Sequence, residues 1–204
     1  MKKEVSEILK NISDEISITV SMKQVVEESY NAVATYLGNN LNKDIHIFAQ
    51  GSMALGTVIR PISDADEYDI DLVCLIKDGI DMPAAEIKNS IGNSLKASTR
   101  YNKQLQPEKK RCWTLDYTNF HMDILPAVPK EQSFDKERHS NIRLTHKISD
   151  CSYEDRYSNP LEYQRWFKRM VSKGFQDVSV LESRQAEIDD IPDDNVQSNL
   201  QSIV

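Results

Sequence analysis

QGSMALGTVIRPISDADEYDIDLVCLI, residues 50–76, opens on a Gly51-Ser52 turn and closes on two alternate carboxylates, Asp69 and Asp71, that lead into an apolar run. Glycine lets backbone approach a phosphate closely, and the Ser52 hydroxyl and neighbouring N–H groups are donors to its oxygens. A short helix beginning at residues 52–56 would add its N-terminal dipole to the same task. On a strand, side chains alternate, so Asp69 and Asp71 share one face while Ile70 and Leu72 point into the core. At a rise of ~3.3 Å per residue the two carboxylates stand roughly 6–7 Å apart along the strand and repel one another. A divalent cation relieves that repulsion. Magnesium, hard and oxygen-loving, is commonly shared between a few carboxylates and substrate phosphates. Two-metal phosphoryl-transfer sites, with ions ~3.5–4 Å apart, stabilise both the attacking and the leaving oxygen.

Such a site needs a third carboxylate, and Asp123 in FHMDILPAV (residues 120–128) fits the role. It alternates with Met122 and Ile124 and shares a face with His121 and Leu125. All three acids converge at one sheet edge if this strand neighbours residues 69–76. His121 reads as a packed or hydrogen-bonded neighbour, and Asp64, Asp66 and Glu67 as solvated loop charges or, at most, outer-shell support. Lys109-Lys110-Arg111 reads most simply as a solvated strand start, with triphosphate contact as the second choice. Two tempting motifs fail. Gly51 and Gly56 have P-loop spacing, but Thr57 stands where the phosphate-binding lysine belongs. The acidic loop from Asp64 has Asp69 where a calcium loop needs glycine.

Working outward, residues 3–20 place Val5, Ile8, Leu9, Ile12 and Ile16 at helical spacing. SMKQ from Ser21 has the capping-box pattern with Gln24, and Gly38-Asn39-Asn40 supplies a stop for the helix between them. Residues 44–49 alternate as a short strand. Pro83 stands at the start of a helix through Ala97. Residues 111–117 and 120–128 read as a strand pair around Thr118-Asn119, and residues 141–147 as a further strand. Asn159, Pro160 and Glu162 form a strong helix start, followed by a bulky face of Tyr163, Trp166, Phe167, Met170 and Val171 that reads as core, with Gly174 as its stop. Residues 196–204 read as the opening turns of another helix.

The 204 residues fit one large domain, or one domain and part of a second. A formal charge of −7 argues against broad nucleic-acid or membrane-surface binding but leaves small metal-bound nucleotides open. Cys74, Cys112 and Cys151 form no C-x-x-C pair and read as reduced thiols, and the four histidines show no zinc spacing. With no apolar leader and no stretch near the ~20 residues that span a bilayer, the expected location is cytoplasmic.

QGSMALGT, RPISDADEYDIDLV and YTNFHMDILPA together resemble the nucleotidyltransferase core of the CD-NTases, bacterial relatives of cyclic GMP–AMP synthase and oligoadenylate synthase. SNPLEYQRWF is similar to the helix start that follows that core, and the resemblance covers residues 45–170. It implies an α/β (α+β type), polymerase-β-like fold: a twisted mixed sheet flanked by helices. It also implies two Mg²⁺ ions, or Mn²⁺ in their place, held by Asp69, Asp71 and Asp123. Gln50, Gly51 and Ser52 would contact the donor nucleotide. The implied substrates are ATP, GTP or other nucleoside triphosphates, joined into cyclic or linear oligonucleotides with release of pyrophosphate. The products would act on effector proteins in anti-phage (CBASS) defence.

The expected division is a catalytic core with N-terminal helices at residues 1–175, then an acidic linker and the start of a truncated C-terminal helical lobe at 176–204. Since that lobe closes the cleft in family members, nucleotide affinity and turnover are expected to suffer. Two alternatives are an enzyme adding one nucleotide to an antibiotic, protein or RNA end, and a catalytically silent nucleotide-binding domain.

Overall fold

The computed structural model describes residues 2–63, 66–150, 152–171, 180–182 and 186–189. Two helices, α1 (Lys2–Ile16) and α2 (Val20–Asn40), lead into β1 (Ile45–Gln50) and the one-turn α3 (Gly51–Leu55). Next come β2 (Tyr68–Ile76), α4 (Ala84–Ala97), α5 (Tyr101–Gln104), β3 (Trp113–Asp116) and β4 (Phe120–Pro129). They are followed by β5 (Ile142–Ser149), β6 (Ser152–Ser158), α6 (Pro160–Val171), β7 (Val180–Glu182) and β8 (Ala186–Asp189). The strands form one eight-stranded sheet in the order β6-β5-β4-β2-β1-β8-β7, with β3 also on β4. The β2–β4 and β1–β8 pairs are parallel and the others antiparallel, the mixed sheet expected from the sequence. β7 and β8 lie within the stretch read as acidic linker.

Period-two alternation sends the two faces of the sheet into different surroundings. Ile45 and Ile47 of β1, Ile70, Leu72 and Cys74 of β2, and Met122 and Ile124 of β4 pack against Val26, Tyr30, Val33 and Leu37 of α2 and Ile87, Ile91 and Leu95 of α4. The Tyr30 hydroxyl donates to the Ile47 carbonyl, and the Tyr36 hydroxyl ties α2 to α4 through the Ser94 carbonyl. On the opposite face Phe48, Val73, Leu75, Leu125 and Ala127 pack with Leu161 of α6. The carboxylates lie on this second face, at the end of β2 and β4 that the apolar cluster leaves uncovered. No described helix is long and apolar enough to cross a membrane.

Helix ends depart from the sequence expectation in two places. Thr19, not Ser21, caps α2: it is extended, and its side chain accepts from Met22 N at 3.2 Å. Gln24 consequently bonds forward to Glu28 rather than back into a capping box. Gly38 does not stop α2 either. It is buried within the helix, which runs on to Asn40, and the left-handed residue beyond is Asn42. By contrast Asn159 caps α6 as expected, accepting from Glu162 N at 3.0 Å while its amide donates to the Glu162 carboxylate. The α6 face is only partly core. Phe167 and Leu161 are buried, but Trp166 and Tyr163 remain about half exposed with their rings stacked, and Met170 is exposed. Gly174 and residues 196–204 lie outside the described residues.

Gly92 brings α4 against β3. A Cβ there would stand 2.2 Å from Cζ2 of Trp113, whose indole N–H donates to the Lys88 carbonyl at 2.9 Å. Since the indole is pinned by that bond, Gly92→Ala is expected to cost about 1–3 kcal/mol of stability, the usual range for overpacking. Urea unfolding measures it; an unchanged midpoint would mean that the indole yields freely.

Candidate active site

Three neighbouring strands assemble the site. The antiparallel register of β1 and β2 sets Gln50 opposite Asp71, and the parallel register of β2 and β4 sets Asp71 opposite Asp123 and Asp69 opposite His121. Gln50, Asp71 and Asp123 therefore stand in a row across the sheet, with Asp69 two residues back along β2. A pair of aromatic rings helps fix this register: Tyr68 and Phe120 are partners at the first position and stack on the buried face, 5.5 Å between centroids. The adjacency that the sequence left conditional is present.

The glycine-serine turn is a helix start in contact with these acids. Gln50 is the N-cap residue of α3, and Gly51 turns the chain with φ +64°. A Cβ on Gly51 would lie 2.3 Å from Oδ2 of Asp71, so the missing side chain is what lets the turn and the carboxylate meet. The first N–H groups of a helix have no intrahelical acceptor. In α3 they belong to the residues placed beside the acids. Gly56 closes α3 in a left-handed conformation, and the Gln164 amide of α6 donates to the Ala54 carbonyl, bracing the turn from outside.

Electrostatics single out Asp71. Its carboxyl is pushed up to about 6, first by burial and then by the charges of Asp123 and Asp69, while Lys109 pulls the other way. Two like charges on partner positions of adjacent strands disfavour joint ionisation. This is the repulsion that a bound cation removes, and the donors are all carboxylate oxygens, the ligand type of magnesium and manganese.

Asp123 carries its own set of partners. The Thr114 hydroxyl donates to Oδ1, and the Cys112 thiol reaches Oδ2 at 3.1 Å. Lys109 Nζ stands 3.4 Å from Oδ1. Lysine 109 thus does not read as a merely solvated strand start; it offers charge to the carboxylates. Behind it, the buried Lys88 of α4 donates to the carbonyls of Lys109 at 2.9 Å and Cys112 at 3.0 Å. Burial pulls that ammonium down to about 8.

Neither Thr114 nor Cys112 was identified from the sequence, although counting outward from the Thr118-Asn119 turn pairs Thr114 with Asp123, as observed. Lys88 gave no such signal, because a lysine on a helix reads as exposed until the fold buries it.

His121 bridges Glu67 and Asp116, its Nδ1 2.8 Å from Glu67 and its Nε2 3.5 Å from Asp116. Ligand atoms of these three lie within 4.8 Å of one another. The two carboxylates face opposite ring nitrogens, however, at hydrogen-bonding separations. This arrangement is a side-chain bridge on the rim rather than a ligand set aimed at one ion. It makes His121 the hydrogen-bonded neighbour expected, and gives Glu67 a partner instead of leaving it a free loop charge.

A mixed sheet with acidic residues on neighbouring strands, next to a glycine-serine helix start, places the chain in the polymerase-β-like fold class. Residues 3–170 match the family described as Second Messenger Oligonucleotide or Dinucleotide Synthetase domain (SMODS), and the chain belongs to this family of CD-NTases. It is 29% identical over 133 residues to the cyclic dinucleotide synthase CdnG of Bradyrhizobium diazoefficiens, an alignment covering 61% of this chain and 31% of that protein.

Among solved structures, B. diazoefficiens CdnG in complex with GTP superposes with a TM-score of 0.64 at 18% identity, covering 85% of this chain and 48% of that one. The Elizabethkingia meningoseptica cyclic dinucleotide synthase CdnE with GTP and Apcpp gives 0.56 at 16% identity, covering 78% and 56%. These likenesses support the polymerase-β-like architecture. The chain spans about a third to a half of the length of these relatives.

Proposed function

We propose that this chain carries the catalytic core of a metal-dependent synthase that joins nucleoside triphosphates into cyclic or linear oligonucleotide second messengers. The observation that carries the proposal is the row of Gln50, Asp71 and Asp123 across three adjacent strands, with Gly51 in contact range of Asp71. Relatives described as cyclic dinucleotide synthases, with both reported structures holding GTP, support the substrate class.

Asp69, Asp71 and Asp123 would hold Mg²⁺, two ions by the expectation above, with Mn²⁺ as a substitute. Their oxygen-only donors and the raised Asp71 carboxyl fit such a cation. When bound, the metal neutralises triphosphate charge and lowers the pKa of the attacking hydroxyl. The first turn of α3 would orient the donor phosphates with Gly51 and Ser52 N–H groups and the Ser52 hydroxyl, while Gln50 borders them. A ribose hydroxyl of one nucleotide then attacks the α-phosphorus of another. The new phosphodiester bond forms as the bond to pyrophosphate breaks, and pyrophosphate leaves. The acidic chain, at −7, disfavours RNA as acceptor. Products of this kind would act on effectors in anti-phage signalling within the cytoplasm.

The test is to incubate the protein with Mn²⁺ or Mg²⁺ and labelled triphosphates, and to analyse phosphatase-resistant product by mass spectrometry. Asp69→Asn and Asp71→Asn should remove the product. Product undiminished in both variants would refute the metal site. A single nucleotide added to another molecule would move the chain to a different reaction class.

A further inference from the structure

We propose that Thr114 and Cys112 are positioning residues for Asp123, holding its carboxylate from the β3 side so that its remaining lone pairs face the shared metal site. This rests on the assignment of Asp123 as a metal ligand. A carboxylate on its own has a broad, roughly two-fold terminal torsion, so its oxygens are poorly aimed. Here Oδ1 accepts from the Thr114 hydroxyl and, at 3.4 Å, from Lys109 Nζ, while Oδ2 accepts from the Cys112 thiol at 3.1 Å. Each oxygen has about two lone-pair sites, so the buried donors on the β3 side fix the carboxylate plane, and Oδ2, with one donor, keeps acceptor capacity for an ion.

Both donors are themselves held. Thr114 is fully buried, β-branched and the register partner of Asp123, which leaves its hydroxyl little freedom. Cys112 lies just before β3, where the Lys88 ammonium of α4 donates to the carbonyls of both Lys109 and Cys112 and so fixes the backbone at this point. Outer partners of this kind orient ligating carboxylates and tune metal affinity.

The experiment measures Mn²⁺ binding to the 204-residue chain by electron paramagnetic resonance, with thermal unfolding of each variant as a check on folding. C112A/T114V, which removes both donors at similar volume, should weaken Mn²⁺ binding about 10- to 100-fold. C112S/T114S, which restores hydroxyl donors, should bind close to the native protein. The single variant T114V, nearly isosteric, supplies the same comparison if the double variant unfolds. Native-like binding by T114V and C112A/T114V overturns the proposal, as does equal weakening in C112S/T114S, which would show packing rather than donation. Asp123→Asn separates the two levels. If it leaves Mn²⁺ binding intact, Asp123 is no ligand and both readings fall; if it weakens binding while C112A/T114V does not, only the positioning role falls.

Discussion

Asp71→Asn is expected to reduce product formation by ~10³-fold or more while making the metal-free protein more stable at neutral pH. The first half follows from the proposed part of a metal in the reaction. Stabilisation of charge by a bound ion is worth several kcal/mol, and each ~1.4 kcal/mol is tenfold in rate. The second half follows from the fold. Asp71 titrates at about 6 rather than the ordinary 3.8 because burial and two neighbouring carboxylates disfavour its charge. The native state therefore holds this proton more tightly than the unfolded chain does. By linkage, stability falls as pH rises between those two values and stays lowered above them. Asparagine keeps the shape without the charge and should remove that fall. Urea unfolding at pH 4 and pH 7.5, with and without Mn²⁺, measures it. Native protein should lose stability at the higher pH and regain it with Mn²⁺, whereas the variant should do neither. A variant less stable than native at pH 7.5 would refute the repulsion. The same titration sets the metal's pH dependence: below about 6 Asp71 must lose a proton to bind, and affinity should fall ~tenfold per pH unit.

Much of this site is legible in the sequence because strand periodicity is a local property. D-I-D before an apolar run placed Asp69 and Asp71 on one face, and M-D-I placed Asp123 likewise; both placements hold in the sheet. That β2 and β4 are neighbours depends on tertiary pairing, which no local pattern reports. The misplaced cap of α2 has a local cause, since Thr19 and Ser21 are both good caps and the choice between them rests on where the backbone leaves the extended region. The exposed Trp166 beside the buried Phe167 shows a different limit. Helical spacing says which residues share a face, while burial depends on what packs there. Lys88 is the sharpest case. Its carbonyl partners are more than twenty residues away, so its role becomes visible only once α4 lies on β3.

Gly51→Ala should lower activity ~100-fold, the scale of a misplacement of about 1 Å in a catalytic group. Two separate effects act at this position. The left-handed φ of +64° costs a non-glycine residue about 1–2 kcal/mol. The new methyl would also meet Oδ2 of Asp71 at 2.3 Å, well inside contact distance. Asp71 has little room to withdraw, because its strand is paired on both sides, with β1 and with β4. The α3 turn must then tilt away, taking the Ser52 N–H and hydroxyl out of register with the acids. Gly51→Asn distinguishes the two effects, since asparagine tolerates the left-handed region yet carries the same Cβ. Stability should recover partly in Gly51→Asn relative to Gly51→Ala, while activity stays low in both. Activity restored by asparagine would show that Gly51 serves only the turn. Activity lost in both variants would instead tie the glycine to its contact with Asp71, the point where the proposed phosphate-binding turn and the proposed metal-binding strand meet.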